Sequence, residues 1–158
     1  MDRHGRVMTP SQELRFLILA GERAGGKMIA QGLKPLGLTP SQAEVLEVLA
    51  ESGPISLGAL GGLLVCETGS PSRLVAGLVQ RGLVERGVAA EDARIAELSL
   101  SAEGRALTDQ LKGLGDSLSG KIAASLTAKE IEAINRGLRK LLAETPPGQA
   151  VARRRARG

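Results

Sequence analysis

Between Leu83 and Leu100 the chain twice leaves the helical period. Leu83–Val88 and Ile95–Leu100 read as two strands around a six-residue loop. In the second strand Ala96, Leu98 and Leu100 fall on one face, and Ile95, Glu97 and Ser99 on the other. The sequence on either side carries helical spacing. A ribbon attached to a helical body has few uses in a soluble monomer, so the hairpin restricts both fold and function. The expected class is mainly α (α+β).

Helix starts are written plainly. Thr9-Pro10-Ser11-Gln12 offers a capping threonine, a proline at the first helical position and a glutamine that completes a capping box. Apolar residues from Leu14 to Ile29 follow at helical spacing, and Pro35 and Gly37 end the element. The same four letters recur at Thr39-Pro40-Ser41-Gln42, opening a second helix with Val45, Leu46, Val48 and Leu49 inward. After the Gly53-Pro54 stop, Ser56 caps a short third helix expected to run through Leu64. It contains Gly58, Gly61 and Gly62, each costing about 0.8–1 kcal/mol relative to alanine, so it must lean on packing. Ser70-Pro71 starts a fourth helix over Pro71–Arg81, closed by Gly82. Leu74, Val75, Leu78 and Val79 face inward, leaving Ser72, Arg73, Ala76 and Gln80 outward.

Beyond the hairpin, Ser101 caps a long fifth helix. Leu107, Leu111, Leu114, Leu118 and Ile122 repeat along it. Thr127 and Glu130 form a capping box for a sixth helix, where Ile131, Ile134, Leu138 and Leu141 continue a heptad-like stripe. Pro146-Pro147-Gly148 reads as its stop, and the arginine-rich remainder as too polar to pack.

Composition sets outer limits. With 158 residues, 42% of them apolar, the chain can build one core. Phe16 is its only aromatic residue, so that core is aliphatic. No apolar run reaches membrane-span length, and the expected location is cytoplasmic, with no membrane partner. The net charge of +4 permits an anionic partner. However, Arg153, Arg154, Arg155 and Arg157 all lie in the last six residues, so charge alone defines no binding face. With one histidine (His4) and one cysteine (Cys66), no metal site and no cofactor are expected. Cys66 reads as a small buried residue, since no second cysteine could resolve a sulfenate. No nucleophile–base pair or phosphate-cradling loop points to an enzyme.

A short helix, a turn, a helix with a small polar outer face and then a hairpin is the winged helix-turn-helix order. Small polar side chains let a helix sink into the major groove, where arginine reaches guanine or phosphate. Ser70, Ser72 and Arg73 stand where such contacts would form. In the hairpin, Arg86 lies on the first strand and Arg94 at the tip. An arginine there can enter the negative minor groove, and Asp92 can hold it in place beforehand. The alternative is a solvated helix face and a surface ion pair.

The run Ser72-Arg73-Leu74-Val75 through Gln80-Arg81-Gly82-Leu83-Val84-Glu85-Arg86 resembles the recognition helix and first wing strand of the MarR family. Asp92-Ala93-Arg94, then Leu98-Ser99-Leu100-Ser101 and Gly104, resemble its wing signature. The resemblance covers about residues 10–144 and is strongest between 38 and 104. Ser101 stands where the family usually has threonine, and the glycine-rich third helix is a departure.

The resemblance implies a homodimeric, sequence-specific transcription regulator of the repressor kind. It would bind double-stranded DNA at a pseudo-palindromic operator, and a small-molecule effector would release it. Terminal helices would pair across a two-fold axis through Leu14, Leu17, Leu107, Leu111, Leu114, Leu118, Ile134, Leu138 and Leu141. Along the chain this makes residues 1–8 a flexible terminus, 9–37 an N-terminal dimerisation helix, 38–100 the DNA-binding module, 101–145 C-terminal dimerisation helices, and 146–158 a disordered basic tail. The alternatives are an architectural DNA-binding protein without effector and a dimeric interaction protein that does not bind DNA.

Overall fold

The computed structural model describes residues 7–66 and 69–158. His4 and Glu67 lie outside them, as does most of the expected flexible terminus. The described chain forms α1 (Pro10–Leu33), α2 (Pro40–Ser52), α3 (Leu57–Gly61), α4 (Pro71–Gln80), β1 (Val84–Val88), β2 (Ala96–Leu100), α5 (Ala102–Ser125), α6 (Ala128–Leu142) and α7 (Pro146–Arg155). This is a mainly helical winged helix-turn-helix.

The caps form as the sequence dictates. Thr9, Thr39 and Thr127 each accept a backbone N–H three residues on, and Gln12, Gln42 and Glu130 close the boxes. A short 3-10 turn, Lys34–Leu36, follows α1 and ends on Gly37, whose φ of 63° lies in the left-handed region that glycine tolerates. Gly82 has φ 73° and turns the chain from α4 into β1.

α2 is the hub. It packs against α1, α3, α4, α5 and β2, and Val45, Leu46, Val48 and Leu49 are buried. Leu33, Leu60, Leu63, Val75, Leu78 and Leu111 close the aliphatic core around it. β1 and β2 pair antiparallel, with Val84 opposite Leu100 and Arg86 opposite Leu98. Ile55, in the α2–α3 turn, adds a one-residue bridge to β2 by exchanging both backbone hydrogen bonds with Leu98, at 3.1 and 2.8 Å. The hairpin therefore grows from the helix-turn-helix.

The helices depart from expectation at two places. α3 stops at Gly61 instead of reaching Leu64, because the Gly61-Gly62 pair gives too little helical bias to carry the turn further. Residues 146–155 are not a disordered tail. Thr145 caps α7 by accepting from Gly148 N–H at 3.2 Å, Pro146 occupies its first turn, and Ala150 is buried. Proline and glycine here start a helix, in the same threonine–proline manner as α1 and α2.

Candidate nucleic-acid interface

α4 presents its polar face outward. Ser70, Ser72, Arg73, Ala76 and Gln80 lie on the outer side while Val75 and Leu78 are fully buried, so packing fixes which face is offered. The Ser70 hydroxyl is already engaged as cap, accepting from Arg73 N–H at 3.4 Å. Only its hydroxyl proton is left to meet a phosphate. At the far end, Arg81 donates from Nη1 to the Gly37 carbonyl at 2.9 Å and ties α4 to the turn before α2.

The wing has a rigid base and a projecting tip. At the base, Ser101 is buried. Its Oγ donates to the Gly82 carbonyl at 2.6 Å and accepts from Gly104 N–H at 3.0 Å, and its N–H donates to the Leu83 carbonyl at 3.1 Å. A Cβ on Gly104 would overlap the Leu83 carbonyl oxygen. Glycine is required there because α5 starts directly against the end of α4. The serine performs the capping role expected of a threonine.

At the tip, Asp92 holds Arg94 three ways. Its Oδ1 accepts from Arg94 N–H at 3.0 Å and from Nε at 3.2 Å, and Oδ2 accepts from Nη2 at 3.4 Å. The Arg94 side chain is 92% exposed, a cation aimed outward and restrained on one edge of its guanidinium. The Arg94 backbone N–H, and then its guanidinium, hold the Asp92 carboxyl below its usual range. Arg86 is exposed on β1. Thus α4 and the hairpin bring Ser70, Ser72, Arg73, Arg86, Asp92 and Arg94 to the surface of one module.

The expected dimer residues divide. Leu14 on α1 and Ile134 on α6 are about half exposed, and Leu17 and Leu141 are 60% and 57% exposed. Leu118 and Leu138 are half-buried. Leu111 is only 1% exposed within its own chain, and Leu107 and Leu114 pack against the core. Leu111 is therefore a core residue, because the first half of α5 packs on α2 before the helix leaves the module.

Sequence reasoning missed Glu44. This α2 carboxylate is 5% exposed, flanked by buried Ala43, Val45 and Leu46. Its two oxygens accept from the N–H groups of Val65 and Cys66, both at 2.7 Å, in the turn that leads to α4. Arg154 of α7 reaches Glu44 Oε1 at 3.4 Å and Glu51 at 3.3 Å. A charged residue interrupting an apolar run was the available signal. Cys66 is exposed, not buried: the turn spends its backbone N–H on Glu44 and leaves the side chain outward. Desolvation by the chain packed on one side, with Glu44 adding, pushes its thiol up to about 11. Such a thiol is a poor nucleophile at neutral pH. Among the described residues, no three His, Cys, Asp or Glu side chains gather to hold a metal, and no helix is long and apolar enough to cross a membrane.

Comparison with known proteins agrees with this architecture. The MarR family model matches residues 36–95, the stretch from the α1–α2 turn to the wing tip. A search of the curated proteins finds no match. Among solved structures, a cysteine-to-serine mutant of E. coli MarR complexed with operator DNA is 27% identical, with a TM-score of 0.71, over 87% of this chain and 99% of that one. A MarR-family transcriptional regulator from Silicibacter pomeroyi is 25% identical, with a TM-score of 0.70, over 87% and 93%. S. aureus MepR in its DNA-binding conformation shares the fold at 20% identity, with a TM-score of 0.72, over 82% and 96%. Residues 36–95 thus match the MarR family model, and the chain as a whole carries the winged-helix fold of MarR-type transcription regulators.

Proposed function

We propose that this protein is a homodimeric, sequence-specific DNA-binding regulator that represses transcription from a pseudo-palindromic operator. Ser72 and Arg73 on α4 enter the major groove, with Ser70 at a phosphate. Arg94 reaches the minor groove, steadied by Asp92, and Arg86 contacts backbone. The observation that carries this reading is the restrained, outward Arg94 on a hairpin rooted in the same module as the polar face of α4. The operator complex of the E. coli relative supports it.

Dimerisation is supported by the apolar side chains that one chain leaves uncovered on α1 and α6, led by Leu14, Leu17, Ile134 and Leu141. A two-fold pair would set its recognition helices about 34–36 Å apart, one turn of DNA. An effector bound between the terminal helices and the DNA-binding module would act by changing that separation.

Fluorescence anisotropy with the duplex upstream of the protein's own gene tests the proposal. The wild type should bind with a steep salt dependence and sediment as a dimer. Arg73→Ala should weaken specific binding by about 1–3 kcal/mol. Binding indifferent to both Arg73→Ala and Arg94→Ala would remove these residues from the interface, and a monomer in sedimentation would end the dimer reading.

A further inference from the structure

The turn that delivers α4 is held from outside the helix-turn-helix. α3 is a five-residue helix ending in Gly61-Gly62, so it lends little stiffness to the turn after it. Residues 62–66 are instead anchored by α2 and α7. Glu44 takes the N–H groups of Val65 and Cys66, and Ser41 Oγ donates to the Cys66 carbonyl at 3.4 Å. From α7, Arg153 donates to the Gly62 carbonyl at 3.0 Å across 91 positions of sequence.

Glu44 can remain a buried anion only with compensation. Two short amide bonds supply part of it, and Arg154 supplies the counter-charge. That guanidinium is spent within the chain: Nη1 faces Glu44, and Nη2 faces both oxygens of Glu51. α7 is itself fixed to the end of α6. A Cβ on Gly148 would overlap the Leu142 carbonyl, and Thr145 donates from both N–H and Oγ1 to that same oxygen, at 2.9 and 2.8 Å.

We propose that α7 is an intramolecular strap, with Arg154 and Glu44 as positioning residues that fix the 62–66 turn and so the entry angle of the recognition helix. The inference rests on reading α4 as the DNA-reading helix. Through this strap the end of α6 is mechanically joined to the DNA-binding lobe of the same chain. Arg153 and Arg154 then serve as internal braces, not as phosphate contacts.

Full-length Arg154→Ala and Glu44→Gln, studied by amide hydrogen exchange and by DNA titration at several salt concentrations, test this. In Arg154→Ala, exchange at Val65 and Cys66 should quicken about tenfold, equivalent to roughly 1.4 kcal/mol, while Val75 in the core stays unchanged. DNA affinity should fall about threefold to tenfold with an unaltered salt slope. Glu44→Gln, which can accept only one of the two amides, should loosen the turn at least as much. Unchanged exchange at Val65 and Cys66 in both variants overturns the strap. So does an affinity loss with the salt slope reduced by about one, which would make Arg154 a phosphate contact. If the wild type binds no DNA, the proposed function fails, but the exchange measurement still decides whether α7 holds the turn.

Discussion

Asp92–Arg94 at the wing tip and Glu44–Arg154 behind the helix-turn-helix are both arginine–carboxylate pairs, and they lie at opposite extremes. The first joins residues two apart, with its arginine 92% exposed. The second joins residues 110 apart, with a carboxylate side chain only 6% exposed. In water the wing pair contributes little to stability, because solvent screens it and two mobile side chains must be ordered to form it. In the proposed function its value is to aim a cation at DNA. The buried pair is the reverse: its arginine points at nothing outside, and loss of its carboxylate would leave two partly buried amides without their acceptor. Two contacts of the same chemistry thus separate into one that faces solvent, where we propose it serves recognition, and one that ties distant elements of the chain together.

The largest effect should come from the buried side of that comparison. Glu44→Ala strands the Val65 and Cys66 amides and leaves Arg154 with Glu51 alone, and urea denaturation should show a loss of about 3–5 kcal/mol. A loss no larger than that of an average surface substitution would erase the distinction. Gly104→Ala comes next, at about 1–3 kcal/mol, since its Cβ must displace the Leu83 backbone carbonyl at the root of the wing. That result would show a rigid base beneath a soft tip. Asp92→Ala should leave the thermal midpoint within error yet weaken DNA binding, which separates aiming from stability.

Acid should reach the two pairs differently. Asp92 ionises more readily folded than unfolded. Its contribution is present above the ordinary value of 3.8 and is lost as pH falls through the lower folded value. The Arg94 amide resonance should therefore stay fixed from neutrality down to about pH 3.8 and move only below it. Glu47, on the α2 ridge beside Glu44 and Glu51, has the opposite sign. Desolvation raises it first, Arg154 opposes, and its two glutamate neighbours raise it again. A raised carboxyl favours the fold below the unfolded value of 4.5 and loses that advantage as pH climbs through the folded value. Glu47→Gln should thus be slightly more stable than the wild type at pH 7, and equal to it below about pH 4.5. This is the smallest effect expected.

The same contrast explains which parts could be read from sequence. The wing was legible because everything that makes it is local: alternation, a glycine at the left-handed turn, and a carboxylate two residues from its arginine. The inward stripe of α4 was legible for the same reason, since helical period alone selects Val75 and Leu78. The strap was not. Nothing near residue 154 announces Glu44, and an arginine-rich end looks like a solvated tail until its partners are known. One local sign existed, because Thr145-Pro146 repeats the start used by α1 and α2. Leu111 failed differently: a leucine stripe on a long helix says that the face is covered, not whether its own chain or a second copy covers it.

If α4 and the wing tip read DNA as one surface, a double-mutant cycle on Arg73 and Arg94 will show it. Affinity for the upstream duplex and for an unrelated duplex should be measured for the wild type, Arg73→Ala, Arg94→Ala and the pair. Each single change should weaken binding to the upstream duplex by about 1–3 kcal/mol, and the double mutant should fall to the non-specific level. Wild-type binding that does not distinguish the two duplexes, or mutants that bind as the wild type does, would contradict it.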